Sequence, residues 1–254
     1  MKCAGIDIGS RTIELVIVEG DQIIEQRQTN TGYDPIKESQ HLLQDLSYDH
    51  IIATGYGRKL FEIYVDNAQT VTEIKAYARG VKQLFPDART ILDIGGQDSK
   101  AISLLENGKI KKFEMNDRCA AGTGKFLEVM AKALGFSIDQ FGEEALKASK
   151  DLKINSMCTV FAESEVTSLI ARGENRLEIA RGLHASVAKR AVSMLKRISI
   201  NRTIVFAGGV ARNICMCHML EELLAQEIKI PNDPQIVGAL CAALLAGEQG
   251  NSRR

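Results

Sequence analysis

Apolar and polar positions follow the same order at two places along the chain. Residues 6–24 (IDIGSRTIELVIVEGDQII) and 92–110 (LDIGGQDSKAISLLENGKI) each begin with a short apolar stretch that runs through Asp-Ile-Gly. Two further apolar stretches follow in each copy, separated by a polar turn, and this alternation predicts strands joined by tight turns. Each copy is therefore predicted to be a three-stranded meander. The two copies are too far apart in sequence for a solenoid, so they predict two similar α/β domains.

Apolar residues at helical spacing lie between and after the two meanders. A strand is predicted at 51–53, before the glycine turn 54–57, and a helix at 72–84 is predicted to end before Pro86. Beyond the second meander, the pattern predicts three helices, a strand and a last apolar helix: 117–134, 159–172, 177–198, 203–206 and 234–245.

The length fits this interpretation, because 254 residues allow either one large domain or two domains of about 125 residues each. We place the boundary at Pro86-Asp87. The first domain is predicted to comprise residues 1–88, completed by a C-terminal helix at 234–247. The second domain is predicted to comprise residues 89–233 and to carry the cysteines considered below.

Composition narrows the classes of partner. Thirty-two Lys and Arg balance 32 Asp and Glu, so no basic excess favours nucleic acid as a partner. The longest apolar run, residues 236–246, is much shorter than the roughly 20 residues that cross a bilayer. The first ten residues lack the apolar core of a signal peptide, so we expect a cytoplasmic protein without a membrane partner.

Three predicted strands end in glycine turns, at 7–10, 93–96 and 207–209. Glycine lets backbone N–H groups approach a phosphate closely, and an Asp before the turn can hold Mg²⁺ through water. One such turn alone is more often a simple hairpin. Two Asp-x-Gly turns that open similar meanders, together with a third double-glycine turn, favour a phosphate-binding cleft.

These paired turns resemble those of the sugar kinase, heat-shock chaperone and actin ATPase superfamily. The resemblance implies two ribonuclease-H-like domains that close on ATP, with Asp7 and Asp93 holding Mg²⁺ through water. It implies that nucleotide contacts come from the three turns and their surroundings: Asp7, Gly9, Ser10, Arg11, Thr12, Asp93, Gly95, Gly96, Gly208, Gly209, Val210, Asn213 and Gln235. Gln97 and Asp98 follow the second turn, and we predict that they position the attacking water as the catalytic groups.

Cys119 and Cys158 stand at the predicted starts of two helices of the second domain. A helix N-terminus carries about half a positive charge, which stabilises a thiolate or an anionic cluster. The alternative is a pair of small buried hydrophobic residues, which is common for cysteine. Two thiolates are half of what a Cys₄ iron–sulfur cluster needs, and a two-fold dimer would present the same pair twice.

The segments 93–100 (DIGGQDSK), 116–128 (NDRCAAGTGKFLE) and 158–166 (CTVFAESEV) resemble the activator ATPases of 2-hydroxyacyl-CoA dehydratases. The related ATPase subunits of benzoyl-CoA reductase share these motifs, and the similarity runs from Gly5 to about Ala246. The resemblance implies one 4Fe–4S cluster held by Cys119 and Cys158 of two identical subunits. It also implies a helix-cluster-helix element whose angle changes as ATP binds and is hydrolysed.

The function implied is an ATP-driven one-electron donor that works as a homodimer. Ferredoxin or flavodoxin would supply the electron, and an iron–sulfur dehydratase or reductase would accept it. A 2-hydroxyacyl-CoA dehydratase, a benzoyl-CoA-type reductase and a double-cubane cluster protein all remain compatible acceptors. Two other classes stay open: a small-molecule kinase of the same fold without a cluster, and a nucleotide-switched binding module.

The first turn departs from the pattern of the family. Arg11 stands where relatives usually have Thr, and Glu14 where they commonly have Lys. Arg11 can pair with phosphate, whereas Glu14 cannot. Elsewhere, Cys215, Cys217 and His218 look like a metal-ligand cluster, but positions i and i+2 of a helix do not share a face, so we predict that they pack.

Overall fold

A computed structural model of the chain describes residues 1–150, 152–155 and 158–251, with side chains to residue 248. The first half contains β1 (Lys2–Ile8), β2 (Thr12–Glu19), β3 (Gln22–Asn30), α1 (Pro35–Leu43), β4 (His50–Thr54), α2 (Arg58–Tyr64), β5 (Gln69–Thr70) and α3 (Glu73–Leu84). The second half contains β6 (Thr90–Ile94), β7 (Ser99–Leu104), β8 (Ile110–Asn116), α4 (Gly124–Ala133), α5 (Ile138–Leu146), α6 (Thr159–Ala171), α7 (Arg176–Ile198), β9 (Ile204–Ala207), a 3₁₀ turn (Gly209–Arg212), α8 (Ile214–Leu224), β10 (Ile228–Lys229) and α9 (Val237–Asn251).

The described strands form two five-stranded sheets with the same plan, β3-β2-β1-β4-β5 and β8-β7-β6-β9-β10. In each sheet an antiparallel meander is extended by two parallel strands. The registers also correspond, because Asp7 lies opposite Glu14 in the first sheet and Asp93 lies opposite Lys100 in the second. Both meanders and the α/β class predicted from the repeat are confirmed.

Helices α3 and α9 share one buried cluster with both sheets. Val16 and Ile52 contribute from the first sheet, and Ile91 and Ile102 from the second. Gly80 on α3 lies so close to Cys241 on α9 that a Cβ at Gly80 would overlap the sulfur. Because this core is continuous, each half buries its inner face against the other.

The outer faces of the sheets have their own helical layers. Helices α1 and α2 cover the first sheet, with Leu42 and Phe61 in its core, while α4 to α8 contribute to the core on the second sheet. Helix α9 contacts β1, β2 and β4, and the link between α3 and β6 contains Pro86-Asp87. The division into domains at that link stays a prediction.

Helix α4 begins at Gly124, so the prediction of a helix from residue 117 is wrong over its first turns. Gly122 has φ +90°, which breaks the helical path, and the Asn116 side-chain amide donates to the carbonyls of Cys119 and Ala121. These side-chain bonds hold the segment as a loop. The sequence interpretation missed helix α5. Its N-cap is Ser137, whose hydroxyl accepts a hydrogen bond from the backbone N–H of Gln140.

Candidate functional site

The two Asp-x-Gly turns have the same backbone geometry. The amide of Gly9 donates to Thr12 O at 3.0 Å, and the amide of Gly95 donates to Asp98 O, also at 3.0 Å. A Cβ at Gly9 would lie 2.8 Å from Thr12 O, so the turn leaves little room for a side chain. The repeat read from the sequence therefore produces two matching turns.

Each aspartate that opens a turn is enclosed by glycines. A Cβ at Gly208, where φ is +83°, would lie 2.5 Å from Asp93 Oδ1, and one at Gly55, where φ is +85°, would overlap Asp7 Oδ1. Gly238, near the start of α9, approaches the other oxygen of Asp7 just as closely. At Gly55 and Gly208 the backbone needs glycine both for its positive φ and for the space beside the carboxylate, whereas at Gly238 only the space requires it.

The turns of the two halves face each other directly. A Cβ at Gly96 would lie 2.9 Å from Cβ of Arg11 and 3.6 Å from Oγ of Ser10. The third turn joins the same cleft, because Val210 Cγ2 would lie 3.2 Å from a Cβ at Gly124, the first residue of α4. The structure thus places predicted phosphate-binding residues from both halves at one cleft.

Gln235 connects the third turn to the first meander. Its Nε2 donates to Thr12 Oγ1 at 3.0 Å and to Glu14 Oε1 at 2.9 Å, and its side chain lies beside Gly209. Glu14 is only 4% exposed, and burial raises its pKa to about 7, against the opposing hydrogen bonds from Thr12 and Gln235. Near neutral pH this carboxyl therefore sits close to its titration point.

Lys100 occupies the position of the second half that corresponds to Glu14, and it is the centre of a buried charge cluster. Its Nζ lies 3.0 Å from Asp93, 2.6 Å from Asp98 and 2.7 Å from Glu73 of α3. Burial alone would lower the pKa of Lys100, but the surrounding carboxylates raise it well above its usual value. The lysine is therefore a fixed positive charge behind the second Asp-x-Gly turn.

Among the residues that the structure describes, Asp7 has no such counterion in direct contact. Its Oδ1 is buried and has no hydrogen-bond partner among the described residues. Burial raises the pKa of Asp7 well above its usual value, and the nearby carboxylates of Glu73 and Glu14 raise it further. A buried carboxylate oxygen without a partner fits a hard divalent cation, so Asp7 suits the predicted Mg²⁺.

The predicted catalytic residues differ in their surroundings. Gln97 is exposed at the second turn, whereas Asp98 is half-buried and its Oδ2 is bound to Lys100. Asn213 caps α8 by accepting from the Met216 amide, and its Nδ2 lies 3.0 Å from His184 Nε2. Asn213 thus already holds a helix in place, and a contact from it to adenosine stays a prediction.

Cys119 and Cys158 are both exposed. Cys158 is the N-cap of α6, as the sequence predicts, whereas Cys119 lies in the loop before α4 rather than in its first turn. Helices α4 and α6 pack against each other through a shared core that includes Met130 and Val166. The cysteines therefore precede two packed helices, and they are not buried small hydrophobic residues.

Comparison with known proteins decides the family. The sequence profile of the BadF/BadG/BcrA/BcrD ATPase family matches residues 4–246. The chain belongs to this family. It is 42% identical over 264 residues to the activator of lactoyl-CoA dehydratase from Anaerotignum propionicum, with full coverage of both chains.

Two solved structures of dehydratase components or activators superpose closely on this ATPase. Component A of (R)-2-hydroxyglutaryl-CoA dehydratase from Acidaminococcus fermentans gives a TM-score of 0.91 at 37% identity, covering 99% of both chains. The activator of 2-hydroxyisocaproyl-CoA dehydratase from Clostridium difficile, with bound ADPNP, also gives 0.91, at 38% identity over 100% of this chain and 97% of that one. The predicted family and the ATPase fold are confirmed.

The remaining candidate metal ligands of this ATPase lie in different environments. Cys215 is buried, Cys217 is half-buried and donates to Ala211 O, and His218 pairs with Glu222 on the exposed side of α8. Across the described part of the chain, no three His, Cys, Asp or Glu side chains are grouped as metal ligands. No helix in the described part of the chain is long and apolar enough to span a membrane.

The sequence interpretation missed the residues behind the second turn. Lys100, Glu73 and Tyr77, whose hydroxyl donates to Asp93 at 3.1 Å, form the polar core of the cleft. The position of Lys100 could have been found from the sequence, because a hairpin closed by the Gly95–Asp98 hydrogen bond places Lys100 opposite Asp93. Glu73 and Tyr77 lie on α3, and only the packing of that helix brings them to the second sheet.

Proposed function

We propose that this ATPase is an ATP-driven one-electron donor that activates a 2-hydroxyacyl-CoA dehydratase-type iron–sulfur enzyme. One junction carries the proposal. The first amide groups of α4, those of Gly124 and Lys125, donate to the carbonyls of Gly95 and Gly96 at 2.9 and 2.7 Å. The helix that follows Cys119 is thereby bonded directly to the second phosphate turn, so a change at that turn is transmitted to it.

At the nucleotide, the three turns supply most of the contacts. Residues 9–12 and 95–97 would face the β- and γ-phosphates, and residues 208–210 with Asn213 would flank the adenosine. Asp7 and Asp93 would hold Mg²⁺, consistent with the unpartnered oxygen of Asp7. Lys100 would offset part of the negative charge of Asp93, Asp98 and Glu73 while the second turn binds an anion.

Gln97 is our candidate for holding the attacking water, because its side chain is exposed at the second turn. The neighbouring Asp98 is instead held by its ion pair with Lys100. Asp98 would fix the turn and accept hydrogen bonds beside that water.

Cys119 and Cys158 would hold a 4Fe–4S cluster with the same two residues of a second copy in a homodimer. Their exposure in the segments that lead into two packed helices supports this, since a buried thiol could not be shared between chains. Such a cluster supplies a one-electron carrier of low potential. We propose a cytoplasmic location, where reducing conditions keep both thiols available.

The electron would come from ferredoxin or flavodoxin and would pass to the partner enzyme. The relatives are activators of lactoyl-CoA and 2-hydroxyisocaproyl-CoA dehydratases, which favours a dehydratase as acceptor. One of the subunits of benzoyl-CoA reductase from Thauera aromatica is a more distant relative at 32% identity, so a reductase of that kind is the second candidate.

Anaerobic purification followed by iron counting tests the proposal. We expect about two iron atoms per chain, which corresponds to one four-iron cluster for each dimer. Cys119→Ala should abolish iron binding and leave ATP binding close to wild type, because the turns that hold the nucleotide stay intact. The matched control is Cys217→Ala on α8, which should keep the iron. An iron-free wild type that transfers phosphate to a small molecule would instead identify a kinase.

A further inference from the structure

An ion pair links the first phosphate turn to the helix that follows Cys119. The guanidinium of Arg11 lies 3.2 Å from Oε1 of Glu128 on α4. Arg11 belongs to the turn between β1 and β2, whereas α4 packs with the second sheet. The pair therefore crosses the cleft between the two halves at its phosphate-binding end.

The location of Arg11 puts its charge within reach of a bound nucleotide. Its Cβ packs over Gly96, at the point where the first and second turns meet. Because the two facing turns are proposed to hold the β- and γ-phosphates, Arg11 at their junction would lie beside the terminal phosphate. A guanidinium binds phosphate oxygens in the same forked geometry as a carboxylate, and a phosphate carries more charge.

The pair with Glu128 is suited to exchange. The side chains of Arg11 and Glu128 are 60% and 32% exposed, and pairs this exposed change an equilibrium constant by only about two- to five-fold. Glu128 also lies 3.4 Å from Lys125, one turn earlier on α4, so it keeps a cationic neighbour if Arg11 leaves. Neither side chain loses all its partners in the exchange.

We propose that Arg11 distinguishes ATP from ADP by exchanging Glu128 for the terminal phosphate, and that this exchange releases α4 from the first half. This inference rests on the proposed function, because it assumes that the cleft binds ATP. In the nucleotide-free and ADP states the Arg11–Glu128 pair ties α4 to the first turn. In the ATP state α4 keeps its bonds to Gly95 and Gly96 and loses that tie. The helix after Cys119 therefore responds to the presence of the third phosphate.

Nucleotide affinity measured by calorimetry on the purified protein tests the exchange. In Glu128→Gln, Arg11 no longer has a competing carboxylate, so the Kd for ATP should fall about two- to five-fold while the Kd for ADP is unchanged. In Arg11→Gln, the Kd for ATP should rise about tenfold or more, again without a change for ADP. The double variant should match Arg11→Gln, because Glu128 acts only through Arg11. Glu144→Gln, which removes the carboxylate paired with Lys147 on α5, is the matched control and should change neither constant.

Hydrogen exchange of the α4 amides reports the helix itself. In the wild type, ATP should increase exchange across residues 124–133 relative to ADP, and Arg11→Gln should remove that contrast. The proposal is overturned if Glu128→Gln changes the Kd for ATP and the Kd for ADP equally. It is also overturned if Glu128→Gln still changes the Kd for ATP in the double variant, where Arg11 is already replaced by Gln. These measurements do not need the cluster. If the protein binds ATP and carries iron but shows no difference in α4 exchange between ATP and ADP, only the proposed exchange of partners by Arg11 is refuted. If that difference is present but the protein carries no iron, only the proposed electron-donor function is refuted.

Discussion

Replacing Glu14 by Gln should stabilise the protein above pH 7 and remove a pH dependence that the wild type carries. Glu14 lies on β2 opposite Asp7, is 4% exposed, and accepts a hydrogen bond from Gln235. Burial is the main cause of its raised pKa. Gln keeps the shape and the accepting oxygen but cannot ionise, so the substitution removes the charge and, with it, the part of the rise in the Asp7 pKa that Glu14 causes.

The magnitude follows from the pKa of Glu14, which is about 7 in the folded protein against an ordinary value of 4.5. A raised folded-state pKa means that the folded protein holds this proton more tightly than the unfolded chain does. The resulting stability is fully present below pH 4.5 and is lost as the pH rises through about 7. Each pH unit between the two values is worth about 1.4 kcal/mol, so the loss is on the order of 3 kcal/mol.

Urea unfolding of the nucleotide-free protein at pH 5, 6, 7 and 8 measures this difference. Wild type and Glu14→Gln should be about equally stable at pH 5, and the variant should gain on the wild type by roughly 1–3 kcal/mol at pH 8. Glu19→Gln, an exposed position at the end of the same strand, is the control and should stay within about 0.5 kcal/mol at every pH.

A stability difference between Glu14→Gln and wild type that is the same at pH 5 and pH 8 would refute the reasoning. So would a variant that is less stable than the wild type at pH 8. Either result would mean that Glu14 is ionised in the folded protein at a cost met by its hydrogen bonds.

Two further substitutions test the cleft. Lys100→Met should lower the free energy of unfolding at pH 7.5 by about 3–5 kcal/mol, because it leaves buried carboxylates without their counterion, whereas the exposed Lys147→Met should change it by less than about 0.5 kcal/mol. A loss below about 1 kcal/mol in urea titration would contradict the buried ion cluster. Gly238→Ala places a Cβ against the Asp7 carboxylate and should weaken MgATP binding in calorimetry about tenfold or more, while Gly247→Ala on the same helix has room and should not. MgATP binding by Gly238→Ala at wild-type strength would show that Asp7 can move without cost.

Local patterns were enough to predict the meanders and their turns. Alternating apolar positions and the Asp-Ile-Gly turns at Asp7 and Asp93 depend on hydrogen bonds within a few residues, and both halves fold as that repeat predicts. The start of α4 was predicted too early, because the residue types before Gly124 are compatible with a helix while the positive φ of Gly122 is not. Helix α5 was missed because its nine residues carry only a short apolar pattern.

The charges of the cleft needed the tertiary structure. In the sequence, Glu14 is a departure from a family pattern and Lys100 is one lysine among many; in the fold, they are equivalent positions with opposite charge. Glu73 reaches Lys100 from α3, and Arg11 reaches Glu128 across the cleft. Such pairs join residues far apart in the chain, so the periodicity of apolar and polar positions cannot predict them.

The sequence by itself determined the two repeated meanders, their glycine turns and the two cysteines that match the family. Those features are local, since turn geometry and strand alternation depend on neighbouring residues. Only the tertiary structure decided which charges are buried together, that Cys119 lies in a loop, and that α4 is bonded to the second Asp-x-Gly turn. Burial and electrostatic interaction depend on distance in space, and the packing of α3 and α9 between the sheets sets those distances.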